Sequence, residues 1–282
     1  MVQIDGFNII RCIGTGARST IYLAEDESTG QEVALKRAIL EVPSDHRIFE
    51  QIETEHKVAA KLDHPYIRKC YRLIKKRKML KVTEVLLTME MFEGQSLEEL
   101  GSLSLGDLLL VFRMVATALN AMHQRGYVHC DIKPNNILIS KQEAIKIIDL
   151  GQSCKIGTVK ARIQGTPDYI APEQVQRKHL SHRTDIFNLG ATMYWALTGR
   201  NVPTQIPKKS EIAQRKTEKE VFKSPHEIYR KIPETLSDVV MECIQEDPSR
   251  RPGSMTVLTT KFDFLIREIF GSKYKNNATS NH

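Results

Sequence analysis

Four clusters of polar residues, each set in apolar surroundings, carry the chemistry open to this sequence. The densest is His129-Cys130-Asp131-Ile132-Lys133-Pro134-Asn135-Asn136-Ile137-Leu138. In it Asp131 can orient a hydroxyl and accept its proton. Lys133 can neutralise charge on a transferring phosphoryl group, and Asn136 can bind a metal through its side-chain oxygen. His129 by itself reads as a packed core histidine. A second cluster, Ile147-Ile148-Asp149-Leu150-Gly151, places a carboxylate just beyond an apolar run, a setting that suits Mg²⁺ or, more plainly, a turn. The third, Val33-Ala34-Leu35-Lys36, ends an apolar run on an ammonium that needs an anionic partner if desolvated, and Glu55 can supply one. The fourth, Gly14-Thr15-Gly16-Ala17-Arg18-Ser19, lets a backbone turn approach phosphates and offer its N–H groups, although a tight hairpin needs the same residues.

The elements that must position these groups follow from periodicity. Strands are expected at Phe7–Ile13, Thr20–Glu25, Glu32–Ala38, around Ile67–Ile74 and at Val82–Met89, with the basic run Lys75-Lys76-Arg77-Lys78 read as a solvated hairpin tip. Helical spacing runs from Phe49 to Leu62 and is stopped by His64-Pro65. Beyond residue 97 the pattern turns helical, with helices at Leu108–Arg125, Thr184–Leu197, Leu236–Gln245 and Met255–Phe270. Two short apolar strands, Ile137–Ile139 and Ala144–Ile148, flank a turn. Gly271–His282 reads as a frayed tail.

The chain has 282 residues, enough for one large domain or two lobes sharing a cleft. It is 41% apolar and 27% charged, with a net charge of +7 that a solvated basic surface explains. No basic face interleaved with aromatics points to nucleic acid. Five cysteines without a CxxC pair argue against a disulfide framework or a zinc site and fit a reducing, cytoplasmic setting. Met1–Arg11 lacks a signal-peptide pattern, and the apolar runs Val85–Met91 and Leu108–Val115 fall short of the ~20 residues of a membrane span.

The four clusters in this order resemble the protein-kinase signature set. The resemblance extends to Ala171-Pro172-Glu173, to Asp185 with Leu189-Gly190 and to Arg251-Pro252, from about Phe7 to Phe270. Lys-Pro-Asn-Asn and Gly-Thr-Pro-Asp-Tyr-Ile-Ala-Pro-Glu-Gln are similar to the bacterial serine/threonine kinases of eukaryotic-like type. The implied fold is α+β and two-lobed: a small, mainly antiparallel β N-lobe with one key helix (1–88), a hinge (89–96), and a larger, mainly helical C-lobe (97–270) before the tail (271–282).

The resemblance also implies roles. Asp131 would be the catalytic base and Lys133 would steady the γ-phosphate. Lys36 would contact the α- and β-phosphates and pair with Glu55. Asn136 and Asp149 would hold Mg²⁺. ATP would lie against Ile13, Gly14, Thr15, Gly16, Ala17, Ile21 and Ala34 from one side and Leu138 from the other. Met89 would stand beside adenine as gatekeeper, backbone groups of Glu90 and Phe92 would bond the base, and Ser96 would lie near the ribose. Glu173 and Arg251 would form a structural ion pair, and Asp185 would hold the catalytic-loop backbone. Lys133-Pro134 and Thr166, which would bridge Asp131 and Lys133, point to protein serine and threonine as substrates. A transient homodimer for autophosphorylation would fit. A pseudokinase would have lost one of these groups, and a small-molecule kinase would not be expected to carry Gly165-Thr166 with Ala171-Pro172-Glu173.

Three positions depart from the pattern. Ser19 replaces a glycine, Leu150 replaces the usual Phe, and Cys130 replaces the Arg beside the catalytic Asp. That Arg commonly binds an activation-loop phosphate through charge-assisted hydrogen bonds, which a thiol does not offer. Lys155, Lys160 and Arg162 are the cations that could substitute for it. The segment Asp149–Glu173 is short in hydroxyls: Ser153, Thr158, Thr166 and Tyr169. Phosphatase-treated protein, and protein carrying Ser153→Ala and Thr158→Ala, should therefore keep most of the initial rate toward an exogenous substrate. A large loss in both samples would show that loop phosphorylation switches the chain despite Cys130.

Overall fold

The computed structural model describes residues 2–16, 18–40, 46–203 and 222–278, and the chain divides into two compact units. The first comprises Met1–Gly94 with Ile139–Ser153, the second Gln95–Leu138 with Cys154–His282. The sequence assigns 97–270 to one lobe, whereas residues 139–153 pack with the first unit.

The first unit is built on strands β1 (Phe7–Thr15), β2 (Thr20–Asp26), β3 (Gln31–Ile39), β4 (Cys70–Lys78) and β5 (Lys81–Glu90). They form an antiparallel sheet in the order β1-β2-β3-β5-β4. Alternation sends Leu35 and Leu86 to one face and Ala34, Val85, Leu87 and Met89 to the other. Helix α1 (His46–Ala59) lays Phe49 and Ile52 on the second face. It starts three residues before the predicted Phe49 and ends three before Leu62, where residues 60 and 61 form a turn.

The basic quartet does not form the hairpin tip predicted for it. Lys75–Lys78 belong to β4, and the tip is Met79-Leu80, exposed by 93% and 90%. Backbone pairing with β5 carries the quartet along the sheet edge, where Lys75 reaches Glu53 at 2.7 Å and Lys76 reaches Asp5 at 3.1 Å. Nor does β4 begin at Ile67, which makes an isolated parallel bridge to Ile147.

The second unit is mainly helical. It contains β6 (Gln95–Ser96), α2 (Leu97–Leu100), α3 (Leu105–Gln124), β7 (Tyr127–Val128), β10 (Cys154–Lys155), α4 (Pro172–Val175), α5 (His182–Thr198), α6 (Pro225–Ile228), α7 (Glu234–Cys243) and α8 (Met255–Ala278). Strands β8 (Ile137–Ile139) and β9 (Ile145–Ile147) flank a turn closed by Ser140 N–H donating to Ala144 O at 2.9 Å. Among the described residues α3 alone is long and apolar enough to cross a membrane. Its apolar residues Leu109, Phe112, Val115, Leu119 and Met122 are instead buried in the core.

Gly190 lets α5 approach α7: a Cβ there would stand 2.5 Å from Cys243 Cβ. Gly199, left-handed at φ 68°, ends α5. Helix α8 runs through Gly271 to Ala278, which corrects the frayed tail expected from residue 271; residues 279–282 lie outside the described residues. One glycine costs a helix about 1 kcal/mol, too little by itself to force a stop.

Arg251 ties this unit together. Its side chain is fully buried and each of its five N–H groups donates. Nη1 and Nη2 grip Glu173 at 2.7 and 2.9 Å, while the carbonyls of Arg183, Gln245 and Glu246 take the remaining donors. The guanidinium also lies 4.9 Å from the Phe187 ring centre. Arg251→Met strands the Glu173 carboxylate and should destabilise the chain by about 3–5 kcal/mol. Adding Glu173→Gln should recover part of that loss in thermal melts; equal destabilisation in the single and double variants would remove the pairing from the account.

Candidate active site

In the first unit, β3 delivers Lys36 and α1 delivers Glu55. The ammonium donates to Glu55 Oε2 at 2.7 Å, with both groups buried. Asp149 Oδ1 lies 3.7 Å from the same nitrogen. Burial alone would pull the Lys36 pKa down, but the charges of Glu55 and Asp149 and the Glu55 hydrogen bond hold it above the usual lysine value. Arg68 Nη2 approaches the other oxygen, Glu55 Oε1, at 3.8 Å, so one carboxylate is shared between two cations.

Asp149 adopts left-handed backbone, φ 63° and ψ 68°, a conformation Asp tolerates better than most residues. The turn Leu150–Gln152 behind it packs on α1, with Leu150 buried at the position where the pattern carries Phe. Gly151 makes that contact possible, since a Cβ would meet Gln51 Cβ and O at 3.2 Å.

The glycine-rich turn joins β1 to β2 and is closed by Gly16 N–H donating to Ser19 O at 2.7 Å. Gly14 pairs with Ile21, and Thr15 with Thr20. Ala17 lies outside the described residues. Ile13 and Ile21 pack against the apolar cluster that holds Ala34 and Met89, and these last two face each other across β3 and β5. Glu90 N–H is spent on Lys69 O at 2.9 Å, so a base contact from Glu90 falls to its carbonyl. The Glu90 carboxylate holds Lys146 at 2.8 Å. Phe92 lies just beyond β5, half-buried.

The second unit holds Asp131, Lys133 and Asn136. Asp131 Oδ1 accepts from both the N–H and the hydroxyl of Thr166 at 3.0 Å. Lys133 Nζ donates to Thr166 Oγ1 at 2.8 Å and stands 3.3 Å from Asp131 Oδ2. Thr166 thus bridges the two, as the resemblance implies. Asn136 Nδ2 donates to Asp131 O at 2.8 Å, which turns its amide nitrogen inward and leaves the amide oxygen for a hard cation. Leu138 is half-buried in β8. Ser96 caps α2, exchanging bonds with Glu99, so its hydroxyl has a structural task before any ribose contact.

The loop carrying Asp131 is held by Asp185. This fully buried carboxylate accepts the N–H groups of His129 and Cys130 at 2.9 and 2.8 Å and contacts His123 Nε2 at 2.8 Å. Burial raises its pKa, but the hydrogen bond and charge of His123, with His129 and the Cys130 amide, hold it below the usual carboxylate value. His129 is buried and accepts Asp131 N–H through Nδ1 at 3.2 Å, a positioning role. Sequence reasoning missed His123, Arg68 and Gln174. Gln174 donates to Cys130 O at 2.8 Å and Gln164 O at 3.1 Å, yet an uncharged residue after Ala-Pro-Glu gives no spacing signal.

An antiparallel sheet with one buried ion-paired helix, and a helical unit carrying an Asp–Thr–Lys constellation, define the protein-kinase fold. The profile of the protein kinase domain matches residues 7–263, and the chain belongs to that family. It is 30% identical to the serine/threonine-protein kinase PknD of Chlamydia pneumoniae, over 90% of this chain and 30% of that protein. It is 29% identical to the serine/threonine-protein kinase PrkC of Bacillus subtilis, over 88% of this chain and 39% of that protein. The chain therefore spans well under half the length of these curated relatives.

Asp185→Asn should destabilise the fold by about 2–3 kcal/mol at neutral pH, because hydrogen bonds to a buried charge are lost. The native pKa lies below the unfolded value near ~3.9, so this contribution is complete above that value and disappears as pH falls through the native pKa. The melting temperatures of wild type and variant should converge in acid. A gap that is constant from pH 7 to 3 would contradict the assignment.

Proposed function

We propose that this chain is an active protein kinase that transfers the γ-phosphate of ATP to serine or threonine hydroxyls of proteins. The observation that carries the reading is the Asp131–Thr166–Lys133 arrangement. It holds one carboxylate oxygen with two bonds from Thr166 and leaves the other beside an ammonium. Phosphoryl transfer needs little covalent chemistry from a protein and depends on positioning and charge. Asp131 orients the attacking hydroxyl and accepts its proton, and Lys133 offsets charge on the transferring group. Lys36, steered by Glu55, orients the α- and β-phosphates. Lys133-Pro134 and Thr166 support serine and threonine over tyrosine, as do the names of the relatives, both serine/threonine-protein kinases.

The donor chemistry of Asn136 and Asp149, one amide oxygen and one carboxylate, fits Mg²⁺, which takes few protein ligands when phosphates complete its shell. Bound there, the ion would neutralise phosphate charge. The five cysteines are free thiols, which supports a reducing, cytoplasmic setting as part of this proposal.

Asp131→Ala should lower kcat for phosphorylation of a serine/threonine peptide by orders of magnitude, on the order of 10³ or more, with little change in melting temperature. Lys36→Met should depress kcat more than it weakens binding of an ATP analogue. Near-normal peptide phosphorylation by Asp131→Ala would remove the base assignment.

A further inference from the structure

Cys130 faces a second thiol. Its Sγ lies 3.7 Å from Sγ of Cys154, and the pair shares an apolar pocket with Val128 and Leu180. The fold produces this meeting. Strand β10 sets Cys154 opposite Val128 on β7, and two residues on the chain turns through a left-handed residue, Cys130 at φ 68°. A disulfide spans about 2.05 Å, so the sulfurs need close by only roughly 1.7 Å.

We propose that Cys130 and Cys154 form a reversible disulfide on oxidation by a hydroperoxide, and that this cross-link suppresses phosphoryl transfer. The effect on activity rests on the kinase reading above; the bond does not. Cys154 is the more exposed of the two. Its hydrogen bond with Cys130 lowers its pKa, and Lys160 and Thr158 assist against the opposing effect of burial. Cys130, as the donor in that bond and buried, is held well above the usual thiol value. Burial also pushes Cys70 up to about 12 and raises Cys243, which leaves both poor nucleophiles.

The Cys154 thiolate attacks one peroxide oxygen and the O–O bond breaks. The departing oxygen takes a proton, leaving as water from hydrogen peroxide or as an alcohol from an organic hydroperoxide. The product is a Cys154 sulfenic acid, with sulfur oxidised by two electrons and the peroxide reduced. Cys130 sulfur, giving up its proton, then attacks Cys154 sulfur; the S–O bond breaks and a water leaves. Two thiols and one hydroperoxide thus become one disulfide, one water or alcohol, and one further water. A dithiol reverses the bond by exchange.

The cost falls on the catalytic loop because Cys130 is pinned on both sides. Its N–H is held by Asp185 and its carbonyl by Gln174, and the next residue is Asp131. Drawing its side chain toward β10 strains these bonds and displaces the carboxylate that Thr166 orients. A misplacement on the scale of 1 Å at a reacting group costs about 10²-fold in rate.

The test treats the full chain with hydrogen peroxide in modest excess, blocks free thiols with N-ethylmaleimide in denaturant and maps non-reduced peptides. The expected product joins the Cys130 and Cys154 peptides with loss of two hydrogens. Transfer to a serine/threonine peptide should fall about tenfold or more and recover with dithiothreitol. Cys154→Ser, or Cys154→Ala should that fold poorly, should keep the basal rate and lose the sensitivity, while Cys12→Ser should keep both. Absence of the linked peptide, an undiminished rate in the linked protein, or a Cys154 variant as sensitive as wild type would each overturn the proposal. Should untreated protein transfer no phosphate, the kinase reading falls, and the peptide map still decides whether the bond forms.

Discussion

A single buried carboxylate sets the geometry on which the second unit's chemistry depends. Asp185 is stripped of water, yet three donors converge on it, from His123 and from the amides of His129 and Cys130. Unpaired, such a charge would be too costly to bury. Paired, it holds two consecutive amides and so stabilises a left-handed Cys130, a conformation that costs a non-glycine residue on the order of 1–3 kcal/mol. The turn at Cys130 aims Asp131, and Thr166 and Lys133 then settle on it. Gln174 closes the arrangement from the other side by holding the Cys130 carbonyl, and Asn188 in turn fixes Gln174 at 3.0 Å.

The first unit meets a comparable electrostatic demand by different means. Its sheet carries apolar residues on both faces, and Lys36 is a charge placed within that packing. Glu55 and Asp149 compensate the lost hydration, so the ammonium stays charged where a phosphate could use it. Arg68 draws on the same Glu55 carboxylate. The orientation of α1 therefore decides whether the Lys36 ammonium is steered or left to its second partner. In both units the functional charge is held by a partner on a separate element, which makes position, rather than intrinsic reactivity, the quantity the fold controls.

Cys130 joins these themes to the proposed redox control. Where the kinase pattern carries a permanent cation, this chain carries a thiol that no phosphate can engage. The same replacement shortens the side chain and makes it apolar, which lets it share a pocket with Cys154 and Leu180. Substituting one residue thus removes an electrostatic contact and creates a sulfur pair beside Asp131.

The sequence by itself determined the elements and the chemical groups. Period-two and period-3.6 patterns are local, so the sheet strands, α3 and α5 were legible to within a few residues, and the polar clusters stood out against apolar flanks. Boundaries set by long-range contacts were not. The hairpin tip at Met79-Leu80 was fixed by the pairing of β4 with β5 out to Lys78 and Lys81, and the continuation of α8 past Gly271 had no local signal. The grouping of residues 139–153 with the first unit followed from the Ile147–Tyr66 and Arg68–Ile147 bonds, which join distant parts of the chain. Partners across long separations were decided only by tertiary structure: Arg68 with Glu55, Gln174 with Cys130, and Cys154 with Cys130. A sequence states which groups exist, but burial, hydrogen-bond direction and the approach of two sulfurs to 3.7 Å arise only once strands and turns are fixed in space.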